Sequence, residues 1–261
     1  MDVSRRRALA FGGGIVIGAA GTAVTLQVKD RLDENTPLPF YGSPVSAVHS
    51  DRSAPGAAAA SVVWSGSTSG RRLALTFDDG PHPDWTPEVL AALRTTGVPA
   101  TFFCVGQAVR DHGAIHRESV GTHELASHGF QHIDFGRLPL DQCRDQLERT
   151  TALIRDTYGL APRLFRPPYG HVGGAAVLAA AELGLTTTFW SAQAREDLFH
   201  DNPDGIVADL VRQVRPGSIV LMHDVGSEDR RITIRHLVPL ITTLRDAGWT
   251  FVTVSELLAN P

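Results

Sequence analysis

From about residue 71 onward, short apolar segments alternate with longer amphipathic ones. Leu73-Ala74-Leu75-Thr76-Phe77 reads as a strand, and Thr86–Thr96, with Val89, Leu90 and Leu93 at helical spacing, reads as a helix. The same reading gives strands over Val98–Val105, Leu164-Phe165-Arg166, Thr186–Trp190, Ser218–Met222 and 249–254. It gives helices over Cys143–Tyr158, Ala175–Leu183, Ile206–Val214 and 235–247. Strands alternating with helices imply a parallel sheet under helical cover. Over about 190 residues this favours an α/β fold of the (β/α) barrel kind, complete or short of eight units, over an open doubly wound sheet. Such a fold places chemistry at the C-terminal ends of strands, so polar residues directly after predicted strands are the site candidates.

The first 70 residues break the pattern. Ser4-Arg5-Arg6-Arg7-Ala8-Leu9 leads into a Gly/Ala-rich apolar stretch that carries no charge until Lys29. Basic residues before an apolar run mark an export signal, and the arginine pair after Ser resembles the bacterial twin-arginine type. Ala8 stands where that type often has an aromatic. A plain anchor is the alternative, since about 20 apolar residues span a bilayer, but Gly12-Gly13-Gly14 weakens such a helix. Residues 1–30 are therefore read as an export signal or membrane anchor, 31–70 as a Pro/Ala/Ser/Gly-rich linker, and 71–261 as one folded domain. The expected location is beyond the bacterial cytoplasmic membrane, secreted or held at the envelope, with membrane contact only through the N-terminal segment.

Charge and composition narrow the function. The chain has 24 Lys+Arg and 28 Asp+Glu, a net charge of −4, with +2 on residues 1–30 and −6 on the rest. An acidic body does not suit a nucleic-acid partner, whose phosphates must be neutralised. The apolar content of 43% argues against disorder. Two cysteines, Cys104 and Cys143, exclude a disulfide scaffold and read as buried thiols rather than a bridge. Eleven histidines leave a generous supply of metal ligands.

The candidate chemistry sits where the strand-end rule directs. Asp78-Asp79-Gly80-Pro81 follows the first strand. Adjacent carboxylates point different ways, so one can bind a metal while the other holds or removes a proton; the same residues are also ordinary turn formers. His128 and His132 stand four apart, a spacing that puts both imidazoles on one face of a helical turn, within reach of one zinc. His112 and His116 share the spacing, but lie in the charged helical segment Arg110–Ser119 and read as a solvated face. One carboxylate with two histidines is a known ligand set for catalytic zinc that leaves a position open. Phe165-Arg166-Pro167-Pro168-Tyr169-Gly170 joins a strand-end arginine to a rigid turn. That turn is either a stiff connection or a means of aiming an N–H at a developing oxyanion. His223-Asp224 follows the apolar run Ile219–Met222, and His223 is a structural histidine or a general acid.

In this order the motifs resemble those of the polysaccharide deacetylases, the carbohydrate esterase family 4 or NodB-like group. Thr76-Phe77-Asp78-Asp79-Gly80-Pro81 is similar to the first motif, His128…His132 to the second, Arg166-Pro167-Pro168-Tyr169 to the third and Leu221-Met222-His223 to the last. Pro99-Ala100-Thr101-Phe102-Phe103 matches a strand typical of the family, and the likeness covers roughly residues 71–257. The resemblance implies a distorted (β/α) barrel forming a single catalytic domain. It implies that Asp79, His128 and His132 hold a divalent metal, most often zinc, and that Asp78 is the base for the attacking water. Arg166 would orient Asp78, the backbone N–H of Tyr169 would hold the oxyanion, and His223 would protonate the departing amine. The implied reaction removes N-acetyl groups from an N-acetylated glycan such as peptidoglycan or a chitin-like oligosaccharide, releasing acetate. An O-acetyl esterase acting on a substrate such as xylan, and a non-catalytic glycan-binding envelope protein, are the alternatives.

Two departures from the family pattern stand out. Gly129 replaces the usual Ser or Thr after the first histidine, with a small expected effect. In the fourth motif, Trp-x-x-Asp-x-x-Asp-Trp in the family, Trp190 is followed by Gln193 and Glu196, or by Asp197-Leu198 if one residue is inserted. The partner of His223 is therefore left open among residues 193–197.

Overall fold

Strand β2 (Arg72–Asp78) pairs with three other strands and is buried along nearly its whole length. The computed structural model describes residues 60–68 and 70–259, so the signal or anchor reading of 1–30 and most of the 31–70 linker lie outside the described residues. On one side β2 pairs with β3 (Thr101–Cys104), which pairs with β4 (Glu124–Ser127), then β5 (Leu164–Phe165), β6 (Thr186–Thr188) and β1 (Val62–Val63). On the other side it pairs with β8 (Ser218–His223), followed by β7 (Ala192–Gln193), while β9 (Thr250–Phe251) joins the start of β2. Every one of these pairings is parallel. The sheet curls into the distorted (β/α) barrel expected. The ends of the strand path, β1 and β7, do not pair with each other; instead Ser65 bridges to Ser218, and Gly66 N–H donates to Gly217 O at 2.8 Å.

The period-2 alternation of strands sorts residues between the barrel interior and the helical cover. Ala74, Phe103, Ala126, Leu164 and Ile219 form an inner cluster closed by Val254 and Leu257 of a C-terminal helix, Val254–Ala259. Their neighbours Leu75, Phe77, Phe102, Val220 and Met222 face outward. There they meet α1 (Thr86–Thr96), α5 (Gly205–Gln213) and α7 (Leu237–Asp246) through Val89, Leu93, Ile206, Leu210, Leu240 and Ile241. A second outer cluster packs Cys143 and Leu147 of α3 (Leu140–Tyr158) and Ala176, Ala179 and Ala180 of α4 (Gly174–Glu182) around Phe165. Both cysteines are free and buried. Among the described residues, no helix is long and apolar enough to cross a membrane.

Several sequence expectations differ from the fold. Strand β4 carries no apolar signal in the sequence: its four residues include only two apolar ones, and its extended state comes from its neighbours on both sides. Val62–Val63, read as linker, pairs with β6, so the folded part begins before residue 71. The strand expected over 249–254 is two residues long, and Val254 instead opens the helix that closes the barrel floor. Finally, Arg110–Ser119 is not a solvated face throughout. His112 is exposed, but His116 is fully buried against Phe102, with ring centroids 4.6 Å apart.

Candidate active site

The alternation that sends Ala74 inward also sends Thr76 and Asp78 inward, at the C-terminal mouth of the barrel. Asp78 is the register partner of His223 at the end of β8, so base and acid candidates stand side by side on adjacent strands. Arg166 follows β5 and is completely buried. Its Nη1 donates to Asp78 Oδ1 at 2.7 Å and to Thr76 Oγ1 at 2.8 Å. Nε and Nη2 donate to the carbonyls of Thr188 and Phe189 at 3.3 and 3.0 Å, and the guanidinium lies 3.9 Å over the Phe103 ring. A surface position for Arg166 is thereby excluded. Burial pulls the guanidinium pKa down, with Asp78 opposing the shift, so Asp78 is the counter-ion that makes its burial tolerable.

Asp79 turns away from Asp78 because its backbone is in the left-handed region, φ 83°. This aims its carboxylate at the histidines: Oδ1 lies 3.1 Å from His132 Nε2 and 3.4 Å from His128 Nε2. The ligand atoms of these three residues all fall within 4.8 Å of one another. The two histidines are not on a helical turn, contrary to the sequence reading. They occupy a loop after β4, in which Gly129 has φ 79°. A Cβ at Gly129 would sit 2.8 Å from the Phe135 ring, so this loop has no room for the family's usual Ser or Thr.

The donor set fits a divalent cation on its own geometry. His128 Nδ1 lies 2.7 Å from the Arg166 carbonyl, which can only accept, so Nδ1 carries the proton. In the neutral ring the Nε2 lone pair then faces Asp79 Oδ1, a buried oxygen that receives no hydrogen bond from the described residues. Electron-rich atoms converging in a buried site need a positive charge between them. Burial disfavours charge on both groups, but each overcomes it in favour of the pair. The histidines hold the Asp79 carboxyl below its ordinary range, and Asp78 and Asp79 raise the pKa of His128.

His223 is placed but unsupported. Its Nδ1 is buried without a hydrogen-bond partner among the described residues, and burial pushes the imidazole down to about 4 despite the nearby Asp78. None of the candidates at 193–197 supports it. Gln193 Oε1 accepts from Trp190 Nε1 at 2.7 Å, Glu196 Oε1 accepts from Thr233 Oγ1 at 2.7 Å, and Asp197 is exposed. Tyr169 has φ 62° and is exposed, with its ring edge-on to His132 at 4.5 Å.

Two residues that no sequence argument singled out complete the site. Asp224 is fully buried: Oδ1 accepts from the Gly80 N–H at 3.0 Å and Oδ2 from Thr86 Oγ1 at 2.6 Å, pinning the turn that carries Asp79. Burial pushes its carboxyl up to about 7 against the hydrogen bond from Thr86, with Asp79 and Asp78 adding to the rise. Its place next to His223 was the available signal. Arg230, whose Nη1 donates to Asp79 Oδ2 at 2.7 Å, lies further along the segment after β8 rather than directly at its end, and carries no sequence signal.

A family model described as polysaccharide deacetylase matches residues 65–188. The chain is 33% identical over 199 residues to a peptidoglycan-N-acetylglucosamine deacetylase of Bacillus cereus, covering 76% of this chain and 92% of that one. It is 36% identical to a chitooligosaccharide deacetylase of Bradyrhizobium, over 70% of this chain and 90% of the relative. A crystal structure of a peptidoglycan N-acetylglucosamine deacetylase matches with a TM-score of 0.72 at 26% identity, over 77% of this chain and 94% of that one. With its strand-end residues gathered in one barrel mouth, this chain belongs to the polysaccharide deacetylase family.

Proposed function

We propose that the protein hydrolyses N-acetyl groups on an N-acetylated glycan, peptidoglycan or a chitin-like oligosaccharide, releasing acetate and a free amino sugar. The observation that carries this reading is the convergence of Asp79, His128 and His132 beside the Asp78–Arg166 pair and His223. The first three would hold the metal, with zinc the best match to two imidazoles and one carboxylate. When bound, a divalent cation there supplies Lewis acidity and eases ionisation of water. Asp78 Oδ1 is tied to Arg166, while Oδ2 lies 3.9 Å from His128 Nε2 and borders the same space. Asp78 accepts the proton of the attacking water as the new C–O bond forms. The Tyr169 N–H stabilises the oxyanion, and His223 delivers a proton to the nitrogen as the C–N bond breaks.

One observation favours a second reading. The unpartnered Nδ1 of His223 leaves the imidazolium without the support that a poor amine leaving group demands, whereas an alcohol needs less protonation. An O-acetyl esterase acting on an acetylated polysaccharide such as xylan follows from that. Residues 1–30 fit export to the envelope, where such glycans lie.

The test is acetate release by the full chain from chitin oligomers, peptidoglycan and acetylxylan, before and after chelation and after zinc is restored. Zinc-restored release from the amide substrates supports N-deacetylation, and release from acetylxylan alone supports the esterase. Release that ignores the chelator, or none on any substrate with zinc bound, overturns both.

A further inference from the structure

Asp79 has two carboxylate oxygens, and the structure assigns them different work. Oδ1 faces the two histidines and receives no hydrogen bond. Oδ2 accepts from Arg230 Nη1 at 2.7 Å, the one hydrogen bond to this carboxylate among the described residues. Arg230 is itself fixed, since the same Nη1 donates to the Val225 carbonyl at 2.8 Å. Its side chain crosses Gly226, whose φ is 141°; a Cβ there would lie 2.5 Å from Arg230 Cδ and 2.8 Å from Nη1. Val225 and Gly226 directly follow Asp224, which pins Gly80 on the other side of Asp79. One short loop after β8 thus grips the Asp79 turn twice, through its backbone at Asp224 and its carboxylate at Arg230.

We infer that Arg230 is a positioning residue that occupies the second oxygen of Asp79, so that the carboxylate offers a single oxygen to the metal. This rests on the reading of Asp79 as a metal ligand. The reasoning is geometric. A carboxylate with both oxygens available can clasp a cation through both and fill the position that water or substrate needs. With Oδ2 held by a guanidinium, only Oδ1 projects between the histidines. Arg230 also places a positive charge near the cation, which opposes binding. The carboxylate stands between the two charges and offsets most of that repulsion. Loss of this hydrogen bond would leave the Asp79 carboxylate free to rotate, so orientation outweighs charge and binding weakens when Arg230 is lost.

The experiment compares the wild-type full chain with Arg230→Met and Arg230→Lys, using zinc affinity by chelator competition and the visible spectrum of the cobalt-loaded proteins. Arg230→Met is expected to bind zinc about tenfold more weakly. Its cobalt bands should also lose intensity, as a second carboxylate oxygen raises the coordination number. Arg230→Lys, which keeps a donor near Oδ2, should recover most of both. Urea melts of the metal-free proteins check that each variant folds, and His128→Ala is the control that loses the metal. Zinc affinity and cobalt spectrum both unchanged in Arg230→Met, or tighter zinc binding, would overturn the inference while leaving the site intact. A wild-type chain that takes up neither metal would overturn the site and the inference together.

Discussion

Arg166→Met tests whether the buried pair beneath the site behaves as its geometry requires. The variant keeps an apolar stem but strands the Asp78 carboxylate, which is 3% exposed, and removes a donor from the Thr188 and Phe189 carbonyls. Removing one partner of a buried ion pair costs about 3–5 kcal/mol, because the other charge remains in a place that water cannot reach. At roughly 2–4 °C per kcal/mol for a domain of this size, the melting temperature should fall by about 10 °C. The assay is urea denaturation of wild type, Arg166→Met, Asp78→Asn and the double variant, all metal-free so that ligand binding does not enter. Asp78→Asn removes the stranded charge, so the double variant should be more stable than the sum of the single losses predicts, by at least about 1 kcal/mol. A loss below about 1 kcal/mol for Arg166→Met, or strict additivity in the double variant, would refute the claim that the two charges depend on each other.

Other expectations follow from the same structure. His116, unpartnered at both ring nitrogens among the described residues, is pushed by burial from 6.5 down to about 3, so the unfolded chain binds its proton first and stability falls as pH drops below 6.5. Between pH 8 and pH 5 this one residue should cost about 2 kcal/mol. His116→Leu should remove that part of the acid sensitivity, and equal acid losses in urea melts of the two proteins would show that His116 does not titrate this way. Asp78→Asn should retain zinc and release no acetate, while His128→Ala should fail to hold zinc; an active Asp78→Asn would end its assignment as base. Gly129→Ser introduces the family's usual residue, yet it should destabilise the chain by about 1–3 kcal/mol through the Phe135 contact and the positive φ. A thermal melt unchanged by that substitution would show that the loop adjusts freely.

Much of this molecule is legible in its sequence, because local chemistry carries the signal. Apolar periodicity marks β2, β8 and the long helices, since these elements bury one continuous face whatever their neighbours. The strand-end rule finds Asp78, Asp79, Arg166 and His223, because parallel strands deliver whatever follows them to one mouth, while His128 and His132 are marked by their spacing alone. It fails where partners decide the outcome. β4 is extended only because β3 and β5 flank it, and His128 and His132 meet through a loop bent at Gly129 rather than along a helix.

The remaining distinctions belong to tertiary structure alone. No spacing tells that His116 is buried while His112 is exposed, because which face of a charged segment turns inward depends on what packs over it. Nor does any motif announce that His223 Nδ1 lacks a hydrogen-bond partner among the described residues or that Arg230 reaches Asp79 across 151 positions of chain. Sequence determined which reactive groups reach the barrel mouth. Folding decided which oxygen, nitrogen and guanidinium meet there, since those contacts form between side chains whose closeness no local pattern encodes.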